Sequence, residues 1–100
     1  MINWIISQNE MDAINMDHIV SMEIEFKSSL KIDDKTIDAY AIIAYDDSDD
    51  NTCLGFYTKA EAIQNLRRLL AKDMDTEYMM YTMPKSGVKE FNDEEVIWYG

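Results

Sequence analysis

Basic residues are scarce in this chain. Nine Lys and Arg stand against twenty Asp and Glu, for a net charge of −11. Proteins hold nucleic acid by displacing its counterions with Lys and Arg, so the shortage argues against direct DNA or RNA binding. Anionic membrane is disfavoured for the same reason. Cysteine occurs once, at Cys53, and histidine once, at His18. A lone Cys makes no internal disulfide and fits a reducing, cytoplasmic setting. Two such ligands fall short of a structural zinc site, which takes four. Nothing in their spacing brings Cys53 and His18 together as a nucleophile–base pair; a buried inert thiol is the ordinary state of a strand cysteine. The three glycines, Gly55, Gly87 and Gly100, are isolated, so no phosphate-cradling loop exists. No apolar run approaches the ~18 residues of a membrane span. The opening MINWIISQNEMD has no basic leader, so no signal peptide is expected. These absences lead to the expectation of a non-enzymatic protein without cofactor or metal.

What is present suits a compact fold: 100 residues with 47% hydrophobic side chains and one proline, Pro84. The clearest local signal is LGFYTKAEAIQNLRRLLAKD, residues 54–73. Thr58 with Glu61 three residues later forms a capping box, and Tyr57 with Ala62 a hydrophobic staple. Ala62, Ile63, Leu66, Leu69 and Leu70 then recur at helical spacing, which predicts a helix over 58–72 with one apolar face. Such a helix needs a surface to lie on, and the first 57 residues supply strands. Asn3–Ser7 and Met11–Ile14 read as short strands. Asn15 and Asp17 mark an Asx-type turn or bulge. Val20–Lys27 alternates, with Val20, Met22, Ile24 and Phe26 directed to the core. Residues 28–35 read as a connection, with room for one turn of strand at Leu30–Ile32. Thr36–Tyr45 is apolar on both faces, which suits a central strand or one whose outer face meets a partner. Cys53–Tyr57 returns, and Glu77–Met83 forms a last strand before Pro84.

The fold class expected is α+β: an antiparallel meander of four to six strands with one helix, in the C-terminal half, on one face. Residues 1–100 form a single domain, with a sheet-plus-helix core over 1–84 and an acidic tail with an apolar end over 85–100. The expected core is Trp4, Ile6, Val20, Met22, Ile24, Phe26, Ile37, Ala41, Ile43, Leu54, Phe56, Ile63, Leu66, Leu69 and Leu70.

The acids number 5 in residues 1–30, 7 in 31–60 and 8 in 61–100, so acidity is spread throughout. It serves solubility, and it also favours a basic protein partner through steering. The densest run is Asp46, Asp47, Asp49 and Asp50. It resembles a calcium loop only superficially: counted from Asp47, Thr52 and Thr58 stand where an EF-hand needs Gly and Glu. An acidic hairpin tip is the reading. Met74, Met79, Met80 and Met83 cluster beside Tyr78 and Tyr81 and suit either core filling or an adaptable surface. Val96, Ile97, Trp98 and Tyr99 follow Glu94 and Glu95 and offer an apolar end that docks on this chain or on another.

Trp4-Ile5, Ile14-Asn15-Met16-Asp17-His18-Ile19, Leu54-Gly55-Phe56-Tyr57, Glu61-Ala62 and Met83-Pro84 together resemble small uncharacterised proteins of Gram-positive bacteria and their phages and mobile elements. That resemblance implies a few antiparallel strands followed by a helix, and no activity. In size and charge the chain is also similar to anti-CRISPR inhibitors, several of which mimic nucleic acid. Two functions are thus expected. The first is an acidic binding protein occupying a basic protein surface, nuclease effectors included, through Asp46, Asp47, Asp49, Asp50, Glu94, Glu95, Trp98 and Tyr99. The second is a scaffolding module that self-associates, as a homodimer, through a sheet edge or the tail.

Overall fold

The computed structural model describes residues 1–75 and 77–93. In chain order the elements are β1 (Trp4–Ile6), β2 (Ala13–Asn15), a 3-10 turn (Met16–His18), β3 (Ile19–Ile32), β4 (Lys35–Asp46), β5 (Asn51–Tyr57), α1 (Lys59–Asp73), β6 (Met80–Thr82) and a second 3-10 turn (Lys89–Asn92). The α+β class and the β3-β4-β5 antiparallel meander match the expectation, and α1 packs against β4 and β5. A single meander does not form. The six described strands divide into two three-stranded sheets, β2-β1-β6 and β3-β4-β5, and β1 pairs with β6 in parallel. The reason lies at the end of β1. Gln8 donates its backbone N–H to the Leu54 carbonyl at 2.7 Å, and its side-chain amide bonds both the N–H and the C=O of Phe56 at 2.9 Å. This buried side chain therefore takes hydrogen bonds on β5 that a neighbouring strand would otherwise make.

β4 is the central strand that its two apolar faces imply. Ile42 and Ala44 belong to a core with Ile2, Ile5, Leu54, Tyr57, Ala62 and Leu69. Ala39, Ala41 and Ile43, which alternate with them, belong to a second core with Leu30, Phe56 and Phe91. Strand β3 runs on through the segment expected as a connection. Between Phe26↔Tyr40 and Ser28↔Ala39 the register shifts, leaving Lys27 as the extra residue of a bulge. Met22 and Ile24 consequently pack on the first core, whereas Leu30 and Ile32 pack on the second. That inversion of facing kept 28–32 from reading as strand.

The β3–β4 turn is the two-residue tip Asp33–Asp34, and both residues have positive φ, 49° and 64°. A tight hairpin turn matching the strand twist requires this, and Gly at its second position suits it best. The left-handed region costs a residue with a Cβ roughly 1–2 kcal/mol, of which Asp recovers part, so Asp34→Gly should stabilise by about 0.5–1 kcal/mol. A urea melt checks it; a loss of stability would contradict the turn assignment.

Six expected core residues are not in the core: Trp4, Val20, Phe26, Ile63 and Leu70 are 43%, 68%, 55%, 37% and 49% exposed, and Ile6 is half-buried and in neither core, because β1 turns Ile5 inward between Trp4 and Ile6. Helix α1 is rotated toward one side of its apolar stripe: Ala62 and Leu69 are buried as expected and Leu66 is half-buried, but Asn65 is buried as well while Ile63 and Leu70 turn outward. A buried Asn is invisible to a hydrophobicity pattern. Val20 is the extra residue of another β3 bulge, between Ile19↔Asp46 and Ser21↔Tyr45, and Phe26 lies on the outer strand while α1 lies over β4 and β5. Met83 is buried, while Met74, Met79 and Met80 are exposed.

Residues 85–93, expected as tail, are built into the structure. Glu61 accepts from the Thr58 N–H at 2.9 Å, closing the capping box, and also from the Ser86 hydroxyl at 2.8 Å and the Gly87 N–H at 2.7 Å. Tyr57 donates its hydroxyl to the Pro84 carbonyl at 2.6 Å. These contacts lead the chain to Phe91, which is fully buried in the second core. Burial pushes the Glu61 carboxyl up, but the Gly87 and Thr58 N–H groups and the two hydroxyls outweigh it and hold its pKa below the ordinary value. A folded pKa below the unfolded one stabilises above the unfolded carboxylate range and is lost as pH falls through the folded pKa. Glu61→Gln should therefore destabilise at neutral pH and converge on the parent chain in acid. Thermal melts across pH check this; a gap independent of pH would mean that the charge contributes nothing.

Candidate functional site

The densest acidic run is where a hairpin joins β4 to β5. The Asp46 N–H donates to the Asp50 carbonyl at 3.0 Å, and Asp49 takes positive φ, 64°. The Asp46 carboxylate folds back over the turn and accepts from the Ser48 and Asp50 N–H groups at 2.8 and 3.0 Å. This Asx geometry is why an Asp belongs at the end of β4. Asp46 is thus half-buried and holds the loop in shape, whereas Asp47, Asp49 and Asp50 are exposed.

A second segment comes to the same end of the sheet. Asn15 accepts from the Asp17 N–H at 3.0 Å, which starts the 3-10 turn where the sequence places an Asx turn. The turn sets His18 beside the hairpin: the Asp47 N–H donates to the His18 carbonyl at 3.1 Å, and His18 Nδ1 lies 3.4 Å from Asp47 Oδ2. Both side chains are solvated, so this pair is a weak electrostatic contact. A polar groove of about 470 Å³ runs between the segments, lined by Asn15, His18, Asp46, Asp47, Ser48 and Thr52. Asp17, exposed in the turn, adds a fifth carboxylate to this end. The approach of Asp17 and His18 to the hairpin was not legible from spacing, because His18 and Asp47 stand 29 positions apart with β3 and β4 between them.

Among the described residues, no group of three or more His, Cys, Asp or Glu is arranged to hold a metal ion. Cys53 and His18 have different surroundings. Cys53 packs on the second core with its Sγ 3.8 Å from the Gly55 carbonyl, whereas His18 faces Asp47 in solvent. Along β3 Glu23 is exposed and Glu25 half-buried, and Glu25 accepts from the Tyr45 hydroxyl at 2.6 Å. That bond, with burial and the charge of Glu25, raises the Tyr45 pKa to about 12. Glu94, Glu95, Trp98 and Tyr99 lie outside the described residues. Among the described residues, no helix is long and apolar enough to cross a membrane. Compared with known proteins, the chain matches no family model, no curated protein and no solved structure.

Proposed function

We propose that this protein is a non-enzymatic binding protein whose acidic hairpin end occupies a basic site on another protein. The observation that carries the reading is the convergence of Asp47, Asp49 and Asp50 with Asp17 at one end of the sheet, on a loop that Asp46 holds from beneath. Carboxylates spaced along a fixed turn present to Lys and Arg what a phosphate backbone presents, so a nucleic-acid-handling protein such as a nuclease effector is a partner of fitting chemistry. Steering by such a surface acts on the association rate and weakens with salt.

Each exposed contact contributes only about 0.2–1 kcal/mol, so several must act together. Replacing Asp47, Asp49 and Asp50 by Asn removes three charges and leaves the Asp46 bonds in place. Asn tolerates the positive φ of Asp49, so the fold should persist. Association with an immobilised arginine-rich peptide, followed by surface plasmon resonance, should slow markedly at low salt and less at physiological salt. Equal rates for the parent and triple-Asn chains at both salts would remove the hairpin from the interface.

A further inference from the structure

We propose that the basic partner also inserts one apolar side chain into a groove beside the hairpin end, between β3 and α1. This rests on the hairpin reading and adds a second half to the same site. The groove holds about 250 Å³ and is lined by Met16, Ile19, Val20, Met22, Leu66 and Leu70, with Ser21 the one polar residue among them. It stays open because α1 is seated on β4 and β5, and because the bulge at Val20 takes that residue out of the strand's alternation. Val20 and Leu70 remain 68% and 49% exposed at its mouth. An apolar hollow set beside a charged surface has the anatomy of an interface, an anchor pocket with a polar rim.

Position and charge select the occupant. The 3-10 turn Met16–His18 serves both grooves: Met16 lines the apolar one, while His18 lines the polar one beside Asp47. Ile19 and Asn15, which flank the turn, divide in the same way. The turn is thus a ridge with the acidic hairpin on one flank and the apolar groove on the other. It rises about 2 Å per residue and an extended peptide about 3.3 Å, so about two to four peptide residues cross it. Asp17, exposed at the middle of the turn, keeps that crossing acidic. On the helix side Arg67, exposed next to Leu66 and three positions before Leu70, carries the opposite charge. The occupant is thereby oriented, with its Lys and Arg toward Asp17 and Asp47 and its apolar side chain beyond them. Size limits it too: about 250 Å³ is below the roughly 300–1,000 Å³ of small-molecule sites and suits one large apolar side chain.

Surface plasmon resonance on the immobilised, intact chain tests this with three peptides of equal length. The first is an arginine run with a Trp three residues out on each side, the second has Ser for each Trp, and the third has Glu for each Arg. The Trp–Arg peptide should associate with the parent as fast as its Ser counterpart and dissociate about tenfold more slowly or more. Val20→Ser combined with Leu70→Gln, changes at two exposed positions, should abolish that difference and leave binding of the Ser peptide as it was. Equal dissociation of the Trp–Arg and Ser peptides overturns the inference, and the hairpin reading survives if the triple-Asn chain still slows both. A difference that persists in the Val20→Ser, Leu70→Gln chain overturns it as well, as does a Glu-bearing peptide that binds as tightly. Association that is equally fast on the parent and triple-Asn chains removes the hairpin reading, and this inference with it. Sedimentation equilibrium showing a parent dimer that the double variant dissolves would give the groove to a second copy and overturn it too.

Discussion

Leu69→Ala is expected to destabilise the protein by about 2–5 kcal/mol, the range for truncating a fully buried Leu. Leu69 has no exposed surface and sits where α1 meets Ile42, Leu54 and Tyr57. The neighbouring leucines make the comparison sharp. Leu66 is half-buried at the margin of the same core, so Leu66→Ala should cost less. Leu70 is 49% exposed, and Leu70→Ala should change stability by under about 1 kcal/mol. Denaturant melts of the three variants would rank them Leu69, Leu66, Leu70. Equal losses at Leu69 and Leu70 would mean that α1 lies on its most apolar stripe after all.

The second large effect is expected at Gly55, for a reason of space. A Cβ built there would lie 2.7 Å from the Tyr57 hydroxyl, 2.8 Å from Tyr57 Cε2 and 2.8 Å from Gln8 Cβ. None of these atoms is free to retreat. Tyr57 is fully buried with its hydroxyl on Pro84, and Gln8 is fixed by both ends of its amide on Phe56. Burial raises the Tyr57 pKa, consistent with a phenol closed off from water. Gly55→Ala should therefore cost about 3 kcal/mol, at the upper end of overpacking. Truncating Gln8 to Ala alongside it would leave the Cβ clash and remove both amide bonds to Phe56, so the double variant should remain less stable than the parent. A Gly55→Ala chain as stable as the parent, measured by thermal melts, would contradict the close packing of β1 on β5.

What was legible in the sequence follows from how local each cause is. The capping box needs only Thr58 and Glu61, and it forms as read. The Asx turn at Asn15 likewise depends on one short-range bond, to the Asp17 N–H. The rotation of α1 depends on Asn65 being buried. The division into two sheets depends on one glutamine reaching another strand, 48 residues along the chain. Neither cause leaves a mark in hydrophobic periodicity. The β3 bulge at Lys27 defeated the alternation rule by turning a strand over midway. Phe91 was read as tail because its neighbours are polar; the Glu61 bonds to Ser86 and Gly87 that lead the chain there are tertiary. For the candidate site, the four aspartates stood out from composition. Their division into one supporting residue, Asp46, and three outward ones needed coordinates.

The most direct measurement is a heteronuclear NMR titration of the intact, isotope-labelled chain with an arginine-rich peptide. If the hairpin end is the binding surface, amide shifts will concentrate at residues 47–51 and at Asp17 and His18, diminish as salt is raised, and collapse in the triple-Asn variant. Shifts spread evenly over all acidic segments, or centred away from the hairpin and unchanged in that variant, would contradict it.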